Sequence, residues 1–159
     1  MNAMSTMSAD STASGPDDAD ALAAEVARRM YADDAAARSL GIEILSTGAG
    51  RARLTMLLRP DMANGHGIGH GGYTFLLADT AFAYACNSHN QRTVAASAAI
   101  DFLAPTRAGD MLTAVAKERH LAGRNGVYVI EVTNQRGELV AMFRGKSATI
   151  RGRFVEDGQ

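Results

Sequence analysis

The sequence contains no tryptophan, a single cysteine and no real excess of charge. With only five Phe and four Tyr as well, small side chains must fill much of any interior. The lone Cys86 can form neither an intramolecular disulfide nor a cysteine-rich zinc site, and nothing points to an oxidising compartment. Sixteen Lys plus Arg against seventeen Asp plus Glu leave a formal charge of -1, so no global field draws the chain to nucleic acid or to a membrane surface. A long hydrophobic run is missing too. The most apolar stretch, 71–86, is interrupted by Asp79 and Thr80 and falls short of the roughly 20 residues a membrane span needs. Residues 1–20, rich in Ser, Thr, Ala and Asp, lack the basic start and apolar run of a secretory signal and read as a disordered tail. These absences predict a cytoplasmic protein with no nucleic-acid and no membrane partner.

What is present suits one globular domain. The 159 residues and 16.7 kDa allow one proper core and little more, and 47% hydrophobic with 21% charged residues are ordinary soluble values. The expected organisation is a tail over 1–20, a domain over 21–153 and a short C-terminal tail over 154–159. From Ala21 to Leu40, Leu22, Val26, Met30 and Tyr31 recur at helical spacing, with a break at Asp33-Asp34 and a stop at Gly41. Ile42–Ser46 and Arg51–Leu58 read as a hairpin, Ala52, Leu54 and Met56 alternating with Arg51, Arg53 and Thr55. A polar, glycine-heavy loop over 61–69 then leads into a segment from His70 to about Ser88 that is apolar nearly all round, the mark of a buried helix. Four strand patterns follow, at 93–103, 111–121, 127–135 and 140–151, separated by turn chemistry at 105–110, 123–126 and 136–138. The later strands are too closely spaced for crossover helices, so the expected fold is α+β: one antiparallel sheet wrapped around one long central helix, the hot-dog arrangement.

Asp79 is the most informative residue, because it sits among Phe75, Leu76, Leu77, Ala78, Ala81, Phe82 and Ala83. A lone buried carboxylate is costly, so it is either paired structurally, with a sheet backbone group or an Arg, or used chemically. Thr80 beside it is either a hydrogen-bonding support or a tolerated small residue. His70-Gly71-Gly72 marks the helix start, where glycines leave backbone N–H groups open at the positive end of the dipole. Such a terminus can polarise a carbonyl, or the glycines simply permit close packing. Asn64 and His66 in the preceding loop can orient substrate or water, although Asn-Gly is also an ordinary turn.

Other patterns fail on context. Gly67-Ile68-Gly69-His70-Gly71-Gly72 fits G-x-G-x-x-G, but a loop precedes it and no βαβ unit follows. Gly145-Lys146-Ser147 resembles the end of a phosphate loop, yet Val140 occupies the first glycine position. His66 and His70 straddle a glycine loop without a third ligand, so no metal is expected, and no cofactor. Cys86 reads as a small core residue. Residues 107–153 carry nine Lys or Arg (107, 117, 119, 124, 136, 144, 146, 151, 153) against four acids (110, 118, 131, 138), so that half either faces an anionic ligand or is a charge-protected sheet edge.

Taken together, Asn64-Gly65-His66, His70-Gly71-Gly72 and the run from Leu77 to Ser88 (Leu-Ala-Asp-Thr-Ala-Phe-Ala-Tyr-Ala-Cys-Asn-Ser) resemble the hot-dog acyl-CoA thioesterases of the phenylacetic acid degradation (PaaI-type) family. Ile100-Asp101-Phe102-Leu103, Gly126-Val127-Tyr128 and Phe143-Arg144-Gly145-Lys146-Ser147 add to the likeness, which covers roughly 30–151. The resemblance implies hydrolysis of aryl-acyl-CoA thioesters, phenylacetyl-CoA and its ring-hydroxylated forms. It implies Asp79 as the catalytic carboxylate, Gly71 as the amide that polarises the thioester carbonyl, and Asn64 and His70 as supporting loop residues; Thr80, beside Asp79, is expected to join the catalytic group as a hydrogen-bonding support. Gly72 would border the substrate, while Arg124 and Lys146 are expected to contact the phosphates of CoA. The family does not need the tail at 1–20, and Gly67-Ile68-Gly69 makes this loop unusually glycine-rich.

Gly71 and Asp79 are eight residues apart on one predicted helix, about 12 Å at 1.5 Å rise per residue. One helix cannot bring both to the same carbonyl, so a site using both takes them from two subunits, which predicts a symmetric homodimer. Similar proteins often pair such dimers into tetramers. Two alternatives stand beside hydrolysis: a non-catalytic acyl-CoA binding or sensing module, and a hot-dog hydratase or dehydratase with His66 or His70 as general base.

Overall fold

The computed structural model describes residues 15–156. Helix α1 spans Pro16–Asp33, with proline in its first turn beside Asp17 and Asp18, whose charges complement the helix dipole. Residues 16–20, expected as tail, are therefore helical, and they are anchored. The Asp20 carboxylate accepts from the Ala49 N–H at 2.9 Å and pairs with Arg51. The rest of that expected tail, 1–14, lies outside the described residues. The break at Asp34 is real: its Oδ1 caps a short α2 (Ala35–Ser39) by accepting from the Ala37 N–H.

Strands β1 (Glu43–Gly48) and β2 (Arg51–Leu57) form the expected hairpin. A single 3-10 turn over Pro60–Met62 and the glycine loop then lead into α3 (Gly71–Asn87), followed by β3 (Thr93–Phe102), β4 (Met111–Ala122), β5 (Asn125–Thr133) and β6 (Leu139–Thr149). The six strands make one antiparallel sheet in the order β1-β2-β4-β5-β6-β3. Its inward rows, among them Leu54, Met56, Leu112, Ala114, Ile130 and Phe143, bury themselves against Leu77, Ala78, Ala81, Phe82 and Ala85 of α3. Phe82 lies 5.3 Å from Tyr128 and 6.0 Å from Phe143, ring to ring. Gly145 makes room for it, since a Cβ there would stand 2.7–2.8 Å from the Phe82 ring.

Two features differ from a fully wrapped helix. A single sheet covers only part of a helical cylinder, and Tyr73, Leu76, Asp79, Thr80 and Ala83, at helical spacing, stay half-buried on the remaining strip of α3. Strand β3 pairs only with β6, leaving its other edge free along a run of small exposed residues, Ala95 to Ala99. The chain end differs as well. Phe154 and Val155, expected as tail, are held by Asn90, whose Oδ1 accepts from both of their N–H groups at 3.1 and 3.0 Å while its Nδ2 donates to the Val155 carbonyl at 2.8 Å. Residues 157–159 lie outside the described residues. No helix among the described residues is long and apolar enough to cross a membrane.

Candidate active site

The start of α3 is built by a loop tied at several points. Asn64 Oδ1 accepts from the His66 and Ile68 N–H groups at 2.9 and 3.4 Å, and the Asn64 N–H donates to the Ile68 carbonyl. The Gly69 N–H donates to Thr106 O at 2.7 Å, and that of His70 to Met62 O at 2.8 Å. These bonds offset the backbone freedom of Gly65, Gly67 and Gly69. His70 is the helix cap: its Nδ1 accepts from the Gly72 N–H at 2.9 Å, which places the proton of the neutral ring on Nε2. The Gly72 amide is thereby spent. The Gly71 N–H has no acceptor among the described residues and sits at the positive end of the helix dipole. Phe102 closes over it, for a Cβ at Gly71 would meet the ring at 2.9 Å. Asn64, Ile68, Gly71 and Phe102 share a cavity of about 430 Å³.

Asp79 lies two turns further along α3, half-buried, with no hydrogen bond or ion pair to any of the described residues. Neither a sheet group nor an Arg partners it. Burial therefore acts unopposed and pushes its pKa above the ordinary carboxylate value. Thr80 does not supply a donor to it; the Thr80 hydroxyl donates to the Leu76 carbonyl at 2.7 Å. Asp79 borders a second cavity, of about 320 Å³, together with Phe82 and Cys86. Burial pushes the Cys86 thiol up to about 12, which makes it a core residue and not a nucleophile.

The two expected CoA contacts are not side by side. Arg124, in the β4–β5 turn, donates from Nε and Nη2 to the Thr149 carbonyl at 3.1 and 2.9 Å and borders a basic cavity with Arg151 and Arg153. Lys146, exposed on β6, borders another with Arg144. Three neighbours of the site escaped the sequence reading. Phe102 belongs to a strand pattern that says nothing of the helix start it covers. Met30 and Phe154, which border the Asp79 cavity, come from the two ends of the chain, and no local pattern signals that meeting.

Comparisons with known proteins identify the family and the fold. Residues 66–141 match the family model described as thioesterase superfamily. The chain is 53% identical over 126 residues to the acyl-coenzyme A thioesterase PaaI of Escherichia coli, covering 79% of this chain and 90% of that one. Its backbone superposes on the solved PaaI protein of the E. coli phenylacetic acid degradation operon with a TM-score of 0.83 at 51% identity, covering 84% of this chain and 97% of the other. A Streptococcus mutans protein solved with bound acetyl-CoA matches at a TM-score of 0.68 and 25% identity, covering 70% of this chain and 90% of that one.

Proposed function

The chain belongs to the thioesterase superfamily, and from that premise we propose that it hydrolyses acyl-CoA thioesters, with phenylacetyl-CoA and its ring-hydroxylated forms as substrates, to free acid and CoA. One observation carries the reading: α3 holds an unpartnered amide at Gly71 and an unpartnered carboxylate at Asp79. The Gly71 N–H donates to the thioester oxygen and stabilises the negative charge that grows there. The ionised Asp79 either attacks the carbonyl carbon or takes a proton from the attacking water. With attack by water, the carbon–sulfur bond then breaks and CoA leaves as a thiol with the proton that Asp79 took; with direct attack, CoA leaves as a thiolate, and water then cleaves the acyl–aspartyl anhydride to free acid and Asp79, its proton passing to the thiolate. His70 fixes the helix start, and Asn64 holds the loop beside Gly71.

The two groups cannot meet within one chain, so the site is shared across a two-fold axis, Gly71 from one subunit and Asp79 from its partner. The free edge of β3 and the half-covered strip of α3 suit a second copy, since an uncharged edge such as the Ala95–Ala99 stretch otherwise invites indiscriminate pairing. Two such dimers can pair into a tetramer without altering the site, and a cytoplasmic location accords with a CoA substrate. His70 as the base of a hydratase is less favoured, because its Nδ1 is occupied as the cap.

A thiol-reagent assay on phenylacetyl-CoA tests the proposal. The wild-type chain should release free CoA, and Asp79→Asn should lower kcat by about two to four orders of magnitude while binding survives. Tight binding with no release by the wild type would leave a binding module. A folded Asp79→Asn with near-normal kcat would end the catalytic assignment.

A further inference from the structure

The cavity beside Asp79 is bordered by segments from both ends of the fold. On the α3 side, Asp79, Phe82 and Cys86 line it at helical spacing, and Met30 of α1, Val94 of β3, Ile150 and Phe154 line it as well. Met30 and Phe154 both lie outside residues 66–141, the part that matches the family model. The wall is apolar apart from a few polar groups, and Asn87 among these is engaged, donating to the Ala83 and Thr93 carbonyls and accepting from the Thr93 N–H. Asp79 is the group left without a partner.

The two ends are also clamped together. Arg29, next to Met30, is held by Glu25 at 2.7 Å and donates from Nη1 to the Phe154 carbonyl at 2.8 Å. The Arg92 guanidinium lies 4.5 Å over the Phe154 ring. Asn90, which holds the backbone of Phe154 and Val155 through its side chain, is buried and is the only described non-glycine residue with positive φ, at 58°. A buried residue in the left-handed region persists where its surroundings demand it, and here the demand is to aim one side chain at three backbone groups.

We propose that Met30 and Phe154 form the wall that selects the acyl group, with Asn90 as the positioning residue that sets Phe154. This rests on Asp79 as the catalytic carboxylate, for the acyl group attached to a carbonyl at Asp79 extends into the cavity that Asp79 borders. The space suits an aromatic ring: apolar cavities of about 150 Å³ already bind benzene, and this one measures about 320 Å³. Acyl preference is thus set by the chain ends and not by the catalytic helix alone.

The test is kcat/KM for acetyl-CoA and phenylacetyl-CoA with wild type, Phe154→Ala, Met30→Phe, Asn90→Gly and Asn90→Asp, each checked for fold by circular dichroism. Phe154→Ala should lower the phenylacetyl value about tenfold, mainly through KM, and leave acetyl-CoA within about twofold, a discrimination typical of a lost apolar contact. Met30→Phe, which fills the cavity, should shift the ratio the same way and keeps the test open if Phe154→Ala fails to fold. Asn90→Gly, which accepts the backbone conformation but drops the clamp, should imitate Phe154→Ala, and Asn90→Asp, which keeps the acceptor for both N–H groups, should restore the ratio. Folded Phe154→Ala and Met30→Phe proteins with the wild-type ratio would overturn the proposal. Asp79→Asn separates the two readings, since it lowers turnover of both substrates alike without moving their ratio.

Discussion

The Gly71 amide and the Asp79 carboxylate stand on the same helix yet open into different cavities, the first shared with Asn64 and Phe102, the second with Phe82 and Cys86. About 12 Å of helix lies between them, too far for one carbonyl to touch both. In the proposed dimer each chain contributes two half-sites, and a two-fold axis would join the amide half of one to the carboxylate half of the other, tying activity to assembly.

The unpartnered state of Asp79 has a measurable cost. Its pKa in the folded protein is raised by burial, so its favourable contribution to stability is complete only below the unfolded value, where the group is protonated, and is lost as pH rises through the folded pKa. At neutral pH the ionised carboxylate opposes folding. Asp79→Asn should thus raise Tm at pH 7, and the gain should shrink as melts are taken to lower pH. The wild-type kcat/KM should fall on the acid side with a midpoint above the ordinary carboxylate range, because the active form is ionised. A lower Tm for Asp79→Asn at pH 7 would mean that Asp79 has a stabilising partner.

Gly145 should prove intolerant of any side chain. A methyl there would stand 2.7–2.8 Å from three atoms of the buried Phe82 ring, which is itself packed on Tyr128 and Phe143. Overpacking of this kind costs about 1–3 kcal/mol, and for a domain of this size each kcal/mol lowers Tm by about 2–4 °C. Thermal unfolding of Gly145→Ala measures it; an unchanged Tm would show that the helix floats more freely on the sheet than the packing implies.

Arg124 and Lys146 are proposed to meet the nucleotide end of the substrate. Arg124→Gln and Lys146→Gln should raise KM for the CoA thioester and leave kcat largely intact, because such contacts hold ground and transition states alike. The pantetheine thioester of the same acid, which lacks the nucleotide, should not notice either change. A fall confined to kcat would remove both residues from phosphate binding.

Much of this was legible in the chain. Element order, the hairpin, the helix start at His70-Gly71-Gly72 and the turns at 123–126 and 136–138 follow from local chemistry: alternation, glycine placement and polar breaks. Asp79 stood out because a carboxylate inside an apolar helix is conspicuous. The helical start at Pro16 was obscured by a composition that is also that of a tail; the contacts of Asp20 with Ala49 and Arg51 reveal its anchoring. The wall of the Asp79 cavity was hidden for the same reason. Arg29 reaches the Phe154 carbonyl 125 residues away, and no sequence period reports a contact at that range. Nor does the pattern of β3 say that it stands at the sheet edge, since its one partner, β6, lies far along the chain.

Mixing two inactive variants tests the shared site most directly. Asp79→Asn spoils the carboxylate half, and Gly71→Ala spoils the amide half by driving a methyl into the Phe102 ring at 2.9 Å. A mixed dimer holds one site with both defects and one with neither. After subunit exchange, confirmed by native mass spectrometry of differently tagged chains, hydrolysis of phenylacetyl-CoA should rise well above either variant alone, toward one intact site per mixed dimer. Activity that stays at background in a sample shown to contain mixed dimers would contradict a site built from Gly71 of one chain and Asp79 of the other.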